Sequence, residues 1–187
     1  MKENYLLQHK TALLNPYGSI VQVLDGDPDK LLVGIKNVRS IPNTLMHKLE
    51  PAGFTLHTID KKSQLAGRAV DTQLINPISG RYMSGSSSGT AINVFAGIND
   101  LGIGNDGGGS VLAPAISLNI ISFISKRIEA DRPQQLKPNT DNITAGNSIG
   151  FMVRDKKILY RAIEAAIGIT PAASAGLVFA DREYPGI

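Results

Sequence analysis

The sequence predicts an α/β fold in which a mixed, twisted sheet is flanked by helices. Runs rich in β-branched residues alternate along the chain with segments of helical periodicity, which is typical of this fold class. The 187 residues have a hydrophobic content of 42%, enough for one buried core, so a single domain over residues 1–187 is expected. Two glycine–serine loops, at residues 84–89 and 107–110, interrupt the pattern and indicate a site where a ligand approaches bare N–H groups.

The first half of the chain predicts three strands and one short helix. A cluster of Asp, Gly and Pro residues at 25–29 is typical of a turn between two strands. The helix is predicted over residues 44–49 and ends before Pro51 and Gly53. The predicted strands cover residues 19–24, 31–36 and 54–59. Residues 60–85 are predicted to be mostly loop.

The second half predicts three helices and two short strands. Small residues favour a helix over 90–98, and a second helix is predicted after Ser110, with Pro114 tolerated in its first turn. Polar residues rich in Pro, Asn and Asp predict a loop over 129–147. The remaining predicted elements are a buried strand over 101–104, an amphipathic helix over 155–167 and a strand over 176–180.

Charge and composition argue against several kinds of partner. The net charge is +3, the basic residues form no stripe and aromatic residues make up 5%, so we expect no nucleic-acid partner. Without cysteine the chain has no disulfide and no cysteine-ligated metal, and neither a metal nor an organic cofactor is predicted. The lack of cysteine is consistent with the cytoplasm. No apolar run has the length of a membrane span, so no membrane partner is expected.

The second glycine loop also matches a dinucleotide-binding pattern. Residues 102–107 have the sequence Gly-Ile-Gly-Asn-Asp-Gly, which fits G-x-G-x-x-G. That pattern belongs in the first strand–helix turn of a βαβ unit, with an acidic residue about twenty positions further on. Here the preceding strand is short and Glu129 ends no clear second strand, so nucleotide binding is the weaker interpretation. A P-loop is excluded because no Gly-Lys-Ser/Thr follows either loop.

Together the two loops resemble the amidase signature family, whose enzymes cleave amides with a Ser–Ser–Lys triad. In that family Gly-Gly-Ser-Ser-Ser/Gly-Gly is followed by a helix of small residues and then by Gly-Thr-Asp-x-Gly-Gly-Ser. Here residues 85–89 are Gly-Ser-Ser-Ser-Gly and residues 104–110 are Gly-Asn-Asp-Gly-Gly-Gly-Ser. Ser86 and Ser110 stand 24 positions apart, as in the family. Three further segments agree in order with the family pattern: residues 33–38, 76–77 and 148–155. The resemblance covers about residues 30–168 and implies an amidase-signature-like core.

The resemblance implies catalytic roles for three residues. Ser110 would be the nucleophile, and Ser86 would relay its proton, presented by a cis peptide bond between Gly85 and Ser86. Lys36 would be the base that finally takes the proton. Because only a neutral amine accepts a proton, the resemblance requires burial to lower the pKa of Lys36 toward neutrality.

The resemblance also implies the surroundings of this triad. The N–H groups of three consecutive glycines would hold the oxyanion: Gly107, Gly108 and Gly109. Gly85 and Ser87 would support the serine loop, and Asp106 would order the glycine turn.

The implied activity is hydrolysis of a C–N bond in a small-molecule or peptide amide through an acyl-enzyme. The chain departs from the family at Asn37, where an aspartate usually follows the lysine, and at Leu112, where an arginine is usual. It also ends where the family pattern is about half complete, which predicts a homo-oligomer or a partner subunit that contacts residues 169–187. The alternative function is a non-catalytic module that binds amides or carboxylates, or a subunit of an amidotransferase or synthase complex.

Overall fold

Five α-helices and ten strands make up the regular structure of the residues described. The computed structural model describes residues 4–64, 70–132, 137–138 and 144–169. The helices are α1 (Tyr5–Leu14), α2 (Thr44–Leu49), α3 (Ser88–Phe95), α4 (Leu112–Ser117) and α5 (Lys156–Ile167), with a 3-10 turn over Glu50–Ala52. The strands are β1 (Ile20–Val23), β2 (Leu31–Lys36), β3 (Phe54–Asp60), β4 (Val70–Ile75), β5 (Tyr82–Ser84), β6 (Leu101–Asp106), β7 (Ile121–Ser125), β8 (Lys137–Pro138), β9 (Thr144–Ala145) and β10 (Ser148–Val153).

Six of these strands form one mixed sheet in the order β1-β3-β2-β6-β10-β7. β2 lies near its centre and pairs in parallel with β3 and with β6. The pairs of β1 with β3, β6 with β10 and β10 with β7 are antiparallel. The hairpin of β4 and β5 and the short pair of β8 and β9 stand outside this sheet. A mixed sheet with flanking helices confirms the predicted fold class.

Helices cover both faces of the sheet, so the domain has three layers. On one face α2 and α5 pack against the sheet, and their core includes Leu45, Leu49, Phe54, Ile103, Phe151 and Leu159. On the other face α3 and α4 pack around a second core that includes Met83, Ile92, Val111, Ala115, Leu118 and Met152. α3 lies very close to β6 because Gly102 has no side chain, since a Cβ atom there would lie 2.7 Å from Thr90 Cγ2.

The amphipathic helix α5 begins and ends at signals that are visible in the sequence. The Asp155 side chain accepts a hydrogen bond of 2.8 Å from the Lys157 N–H, and Gly168 ends the helix with a φ of +66°. The predicted helix over residues 155–167 is therefore confirmed. α5 has 12 residues, and none of the described helices combines the length and the hydropathy needed to cross a membrane.

The structure contains five elements that the sequence did not predict: α1, the β4–β5 hairpin, β7, the short β8–β9 pair within the predicted loop over residues 129–147, and β10. Every residue of β10 after the first is buried, so the strand lacks the polar–apolar alternation by which β3 was predicted. The hairpin falls in the predicted loop over residues 60–85, and its ladder is irregular between Asp71 and Ile75. The predicted strand over 176–180 lies outside the described residues, as does nearly all of the predicted contact segment 169–187. The predicted oligomer stays a prediction.

A β-bulge in β3 decides which of its side chains face which layer. One residue of β2 pairs with Leu56, but the next residue, Gly34, pairs with Thr58. His57 is therefore an extra residue, and Leu56 and Thr58 face opposite sides of the sheet although they are two positions apart. Beyond the bulge, Thr58 and Asp60 face the layer that contains α3, where a Cβ atom on Gly34 would meet both side chains.

A buried polar cluster follows this bulge. Six fully buried side chains make up the cluster: Ser19, His57, Thr58, Asp60, Asn93 and Asn99. Asp60 Oδ1 accepts hydrogen bonds from Thr58 Oγ1 (2.6 Å) and Asn93 Nδ2 (2.7 Å). Asp60 Oδ2 has no partner within the described part of the chain. Burial raises the pKa of Asp60 to about 7, although the hydrogen bonds from Thr58 and Asn93 act in the opposite direction.

Replacing Asp60 with asparagine should change how stability depends on pH. The pKa of Asp60 is raised in the folded state from 3.8 to about 7, so the folded protein keeps this proton over a range in which the unfolded chain has released it. The stabilisation from Asp60 is thus full below about pH 4 and is lost as the pH rises through about 7. Between about pH 4.5 and about pH 8, we expect the free energy of unfolding of the wild type to fall relative to that of Asp60→Asn by on the order of 1–3 kcal/mol.

Urea denaturation at the two pH values measures the free energy of unfolding of each variant. Asp25→Asn is the matched control because the Asp25 side chain is fully exposed. An Asp60→Asn difference that is the same at both pH values would contradict the prediction.

Candidate active site

The predicted base, Lys36, ends β2 and is buried, with 3% of its surface exposed. Its Nζ donates one hydrogen bond to Ser86 Oγ and another to Asn105 Oδ1, and both distances are 2.7 Å. Ser86 is 50 positions away in the sequence, so the fold itself brings the predicted base and the predicted relay together. This is not the arrangement of a surface lysine.

The surroundings of Lys36 favour its neutral form. Burial is the largest effect and lowers the pKa of Lys36 from 10.5 to about 8. The charge of Asp106 acts in the opposite direction, and the charge of Lys62 lowers the pKa further. About a tenth of the Lys36 side chains are then neutral at pH 7, far more than for an exposed lysine.

The loop that carries Ser86 turns at Gly85. Gly85 has a φ of +68°, and a Cβ atom there would lie 2.5 Å from Pro114 Cδ, so glycine is required at this turn. The predicted cis peptide bond between Gly85 and Ser86 is wrong, because every peptide bond among the described residues is trans. The left-handed backbone of Gly85 reverses the chain by itself, so Ser86 reaches Lys36 without a cis bond.

Ser87 and Ser88 fix this loop at the start of α3. The Ser87 N–H donates to the Ser110 carbonyl oxygen (3.1 Å), which ties the two glycine–serine loops together. The Ser87 hydroxyl is fully buried and has no partner among the described residues. The Ser88 hydroxyl donates to Asp71 Oδ2. In this structure Ser87 therefore supports the loop through its backbone, and Asp71 is an anchor that the sequence did not predict.

Asp106 orders the glycine turn through both carboxylate oxygens. Four backbone N–H groups donate to it: Gly108 (3.0 Å), Gly109 (2.6 Å), Val111 (2.7 Å) and Leu112 (3.3 Å). Burial by itself would raise the pKa of Asp106, but these hydrogen bonds outweigh it and hold the pKa below its usual value. The backbone thus supplies partners for Asp106 although Leu112 stands where the family has an arginine.

The glycine loop offers fewer free donors than the sequence predicts. The N–H groups of Gly108 and Gly109 point to Asp106, because a buried carboxylate takes the donors that lie nearest. In the described part of the chain, the N–H groups of Gly107 and Ser110 donate to no protein acceptor. Ser110 is half-buried beside the exposed Gly107 and Gly108. Among the described residues no hydrogen bond joins its hydroxyl to Ser86.

Sequence reasoning assigned no role to two further polar residues of the site. Asn105 accepts from Lys36, and its Nδ2 donates to Ser40 Oγ at 3.1 Å. The sequence offered only a partial signal for Asn105, its place just after the predicted strand over residues 101–104. Parallel neighbours such as β2 and β6 end at the same edge of a sheet, but the sequence does not show that these two strands are neighbours. No comparable signal marked Ser40, which lies in a connection after β2.

The fold of this chain is similar to those of several solved proteins. For 6-aminohexanoate cyclic dimer hydrolase the TM-score is 0.65 at 18% identity, over 98% of this chain and 47% of that one. For a Glutamyl-tRNA(Gln) amidotransferase subunit from Thermotoga maritima it is 0.65 at 21% identity, over 88% and 43% of the two chains. For the native peptide amidase from Stenotrophomonas maltophilia it is 0.59 at 19% identity, over 88% and 43%.

These similarities establish the fold, a mixed sheet covered by helices on both faces. No protein-family model matches the sequence, and no curated protein matches it. The chain spans about half the length of the solved structures that it matches.

Proposed function

We propose that this chain is an amidase-signature-type hydrolase that cleaves amide C–N bonds, with Ser110 as nucleophile, Ser86 as proton relay and Lys36 as base. One observation carries the proposal: the buried Lys36 Nζ lies 2.7 Å from Ser86 Oγ across 50 positions of sequence. A lysine with a pKa lowered to about 8 is suited to accept a proton near neutral pH. The order of the motifs and the fold shared with solved amidases support the same activity.

In the proposed reaction the Ser110 oxygen attacks the carbonyl carbon of the amide. Its proton passes to Ser86, while Ser86 passes its own proton to the neutral amine of Lys36. When the C–N bond of the tetrahedral intermediate breaks, the proton returns through Ser86 to the leaving nitrogen, and an ester remains on Ser110. Water attacks this ester by the same proton path and releases a carboxylic acid.

The proposal requires the hydroxyls of Ser86 and Ser110 to meet. The hydrogen bond from the Ser87 N–H to the Ser110 carbonyl oxygen already joins their two loops at 3.1 Å. Rotation of the Ser110 side chain about χ1 is therefore the movement that we invoke, since catalytic hydrogen bonds often tighten only when substrate is bound.

Two backbone groups are proposed to hold the oxyanion, the N–H groups of Gly107 and Ser110, because both are free of acceptors among the described residues. The N–H groups of Gly108 and Gly109 can join them only if Asp106 releases them.

A second candidate function is a non-catalytic module that binds amides or carboxylates, or a subunit of an amidotransferase or synthase complex. The similarity to one component of an amidotransferase favours it, and so does the use of two glycine N–H groups by Asp106. In such a module the Ser110 hydroxyl would bind a ligand without reacting.

Release of amine or ammonia from small amides and from amidated peptides tests the proposed activity. The wild type should release product above the uncatalysed rate, and Ser110→Ala should not. Ser84→Ala is the matched control, because Ser84 is also half-buried but its hydroxyl donates to the Ala113 carbonyl oxygen at 3.0 Å. Release that is equal in wild type and Ser110→Ala would contradict the proposal, and amide binding without release would favour the module.

A further inference from the structure

We propose that Asn105 is a positioning residue for Lys36: its side-chain amide holds the Lys36 amine against Ser86 without adding a negative charge. The catalytic meaning of this role rests on the proposed function, but its effect on Lys36 does not.

The contacts of Lys36 show what Asn105 contributes. Lys36 is 3% exposed, so protein acceptors take the place that water would have around its amine. Ser86 Oγ and Asn105 Oδ1 accept from Nζ at the same distance, 2.7 Å. Two acceptors hold Nζ in place, whereas with Ser86 Oγ as its single acceptor the amine could swing about that one hydrogen bond.

The orientation of the Asn105 amide follows from its partners. A charged lysine amine only donates, so the amide oxygen must face Lys36 and the amide nitrogen must face away. The nitrogen then donates to Ser40 Oγ at 3.1 Å. Asn105 is therefore held at both ends, by Lys36 on β2 and by Ser40 in the connection that follows β2.

The neutrality of Asn105 matters because Lys36 must lose a proton to act as a base. The charged groups that affect Lys36 are Asp106, which raises its pKa, and Lys62, which lowers it. Asp106 is already hydrogen-bonded to four backbone N–H groups and makes no hydrogen bond to Lys36 among the described residues. A carboxylate at position 105, in direct contact with Nζ, would stabilise the charged amine far more strongly than the amide does.

Two substitutions at this position should move Lys36 in opposite directions. Asn105→Asp should raise the pKa of Lys36 by about one to three units, the usual effect of an opposite charge in contact. Asn105→Ala should lower it, because the charged amine loses an acceptor while it stays buried. A general loosening of the structure would instead expose Lys36 and raise its pKa in both variants.

The ¹³C resonance of Lys36 Cε reports its titration directly in the full chain labelled with ¹³C-lysine. Lys36→Arg assigns the resonance. Gln22→Glu is the matched control, because it makes the same amide-to-acid change on the exposed edge strand β1. It should leave the titration midpoint of Lys36, the pH at which half of its side chains are protonated, at the wild-type value. If Asn105→Asp fails to fold, a lowered midpoint in Asn105→Ala decides by itself. If Asn105→Ala fails to fold, Asn105→Leu, which also removes the acceptor, takes its place and should likewise lower the midpoint.

Midpoints that are unchanged, or that rise in both Asn105 variants, would overturn the inference. The rate of amide hydrolysis, measured on the same samples, tests the proposed function separately from the role of Asn105. If hydrolysis occurs, its pH dependence should move with the Lys36 midpoint. If no amide is hydrolysed but the two midpoints move apart, the role of Asn105 stands and the proposed function fails.

Discussion

Replacing Ser110 with alanine should abolish covalent labelling of this protein by a fluorophosphonate probe. The wild type should carry a single adduct, because such probes react with an activated serine and Ser110 is half-buried in the glycine loop beside free N–H donors. The intact mass should rise by one adduct, and peptide mapping should place it on Ser110. In Ser110→Ala the adduct should be absent under the same conditions.

Two further variants make this result specific. Ser86→Ala keeps the nucleophile but removes the hydroxyl bonded to Lys36, and it should slow labelling by about 10²–10⁴-fold, the range for loss of general base assistance. Ser84→Ala, whose hydroxyl bonds to Ala113, should label like the wild type. Undiminished labelling of Ser110→Ala would show that another residue is the nucleophile.

Replacing Lys36 with alanine should lower the rate of amide hydrolysis at neutral pH by about 10²–10⁴-fold. The neutral amine is the active form, and the pKa of Lys36 is lowered to about 8, so the wild-type rate should rise with pH and level off above about 8. Lys36→Ala should lose this rise together with the rate. Initial rates between about pH 6 and pH 10 measure both effects.

The matched control is Lys30→Ala, which removes a lysine just before β2, at the end opposite to Lys36. Lys30 Nζ lies 3.8 Å from Asp27 Oδ2, and in the described part of the chain no hydrogen bond or ion pair joins Lys30 to Lys36, Ser86 or Ser110. Its loss should leave the rate and the pH profile unchanged. If Lys36→Ala behaved in the same way, Lys36 would have no part in the reaction.

Much of the site could be predicted from the sequence because it depends on local signals. A short apolar run predicts the strand that ends at Lys36, and the glycine content predicts the two turns before Ser86 and Ser110. The role of Asp106 in ordering the glycine turn was also predicted, since a short carboxylate readily accepts from N–H groups a few positions further on. The Asp155 cap and Gly168 mark α5 in the same way.

What could not be predicted depends on long-range pairing. The contact of Asn105 with Lys36 exists only because β6 lies beside β2, and no local pattern fixes that neighbour. The direction of the Gly108 and Gly109 N–H groups follows from the position of Asp106, whereas the sequence shows only that the donors exist. β10 was missed because both its faces are covered.

The extra residue of β3 shows how a strand can change length without inverting its faces. If His57 were deleted, Leu56 would directly precede Thr58, which is the order that regular alternation against β2 requires. Every later side chain, Asp60 included, would then keep its layer relative to β2. The deletion would remove the imidazole, which contacts Asn99 and His9, and the carbonyl oxygen that accepts from the Leu24 N–H. A deletion at His57 would thus preserve the two faces of β3, whereas a deletion elsewhere in a regular stretch of β3 would turn polar side chains into the apolar layer.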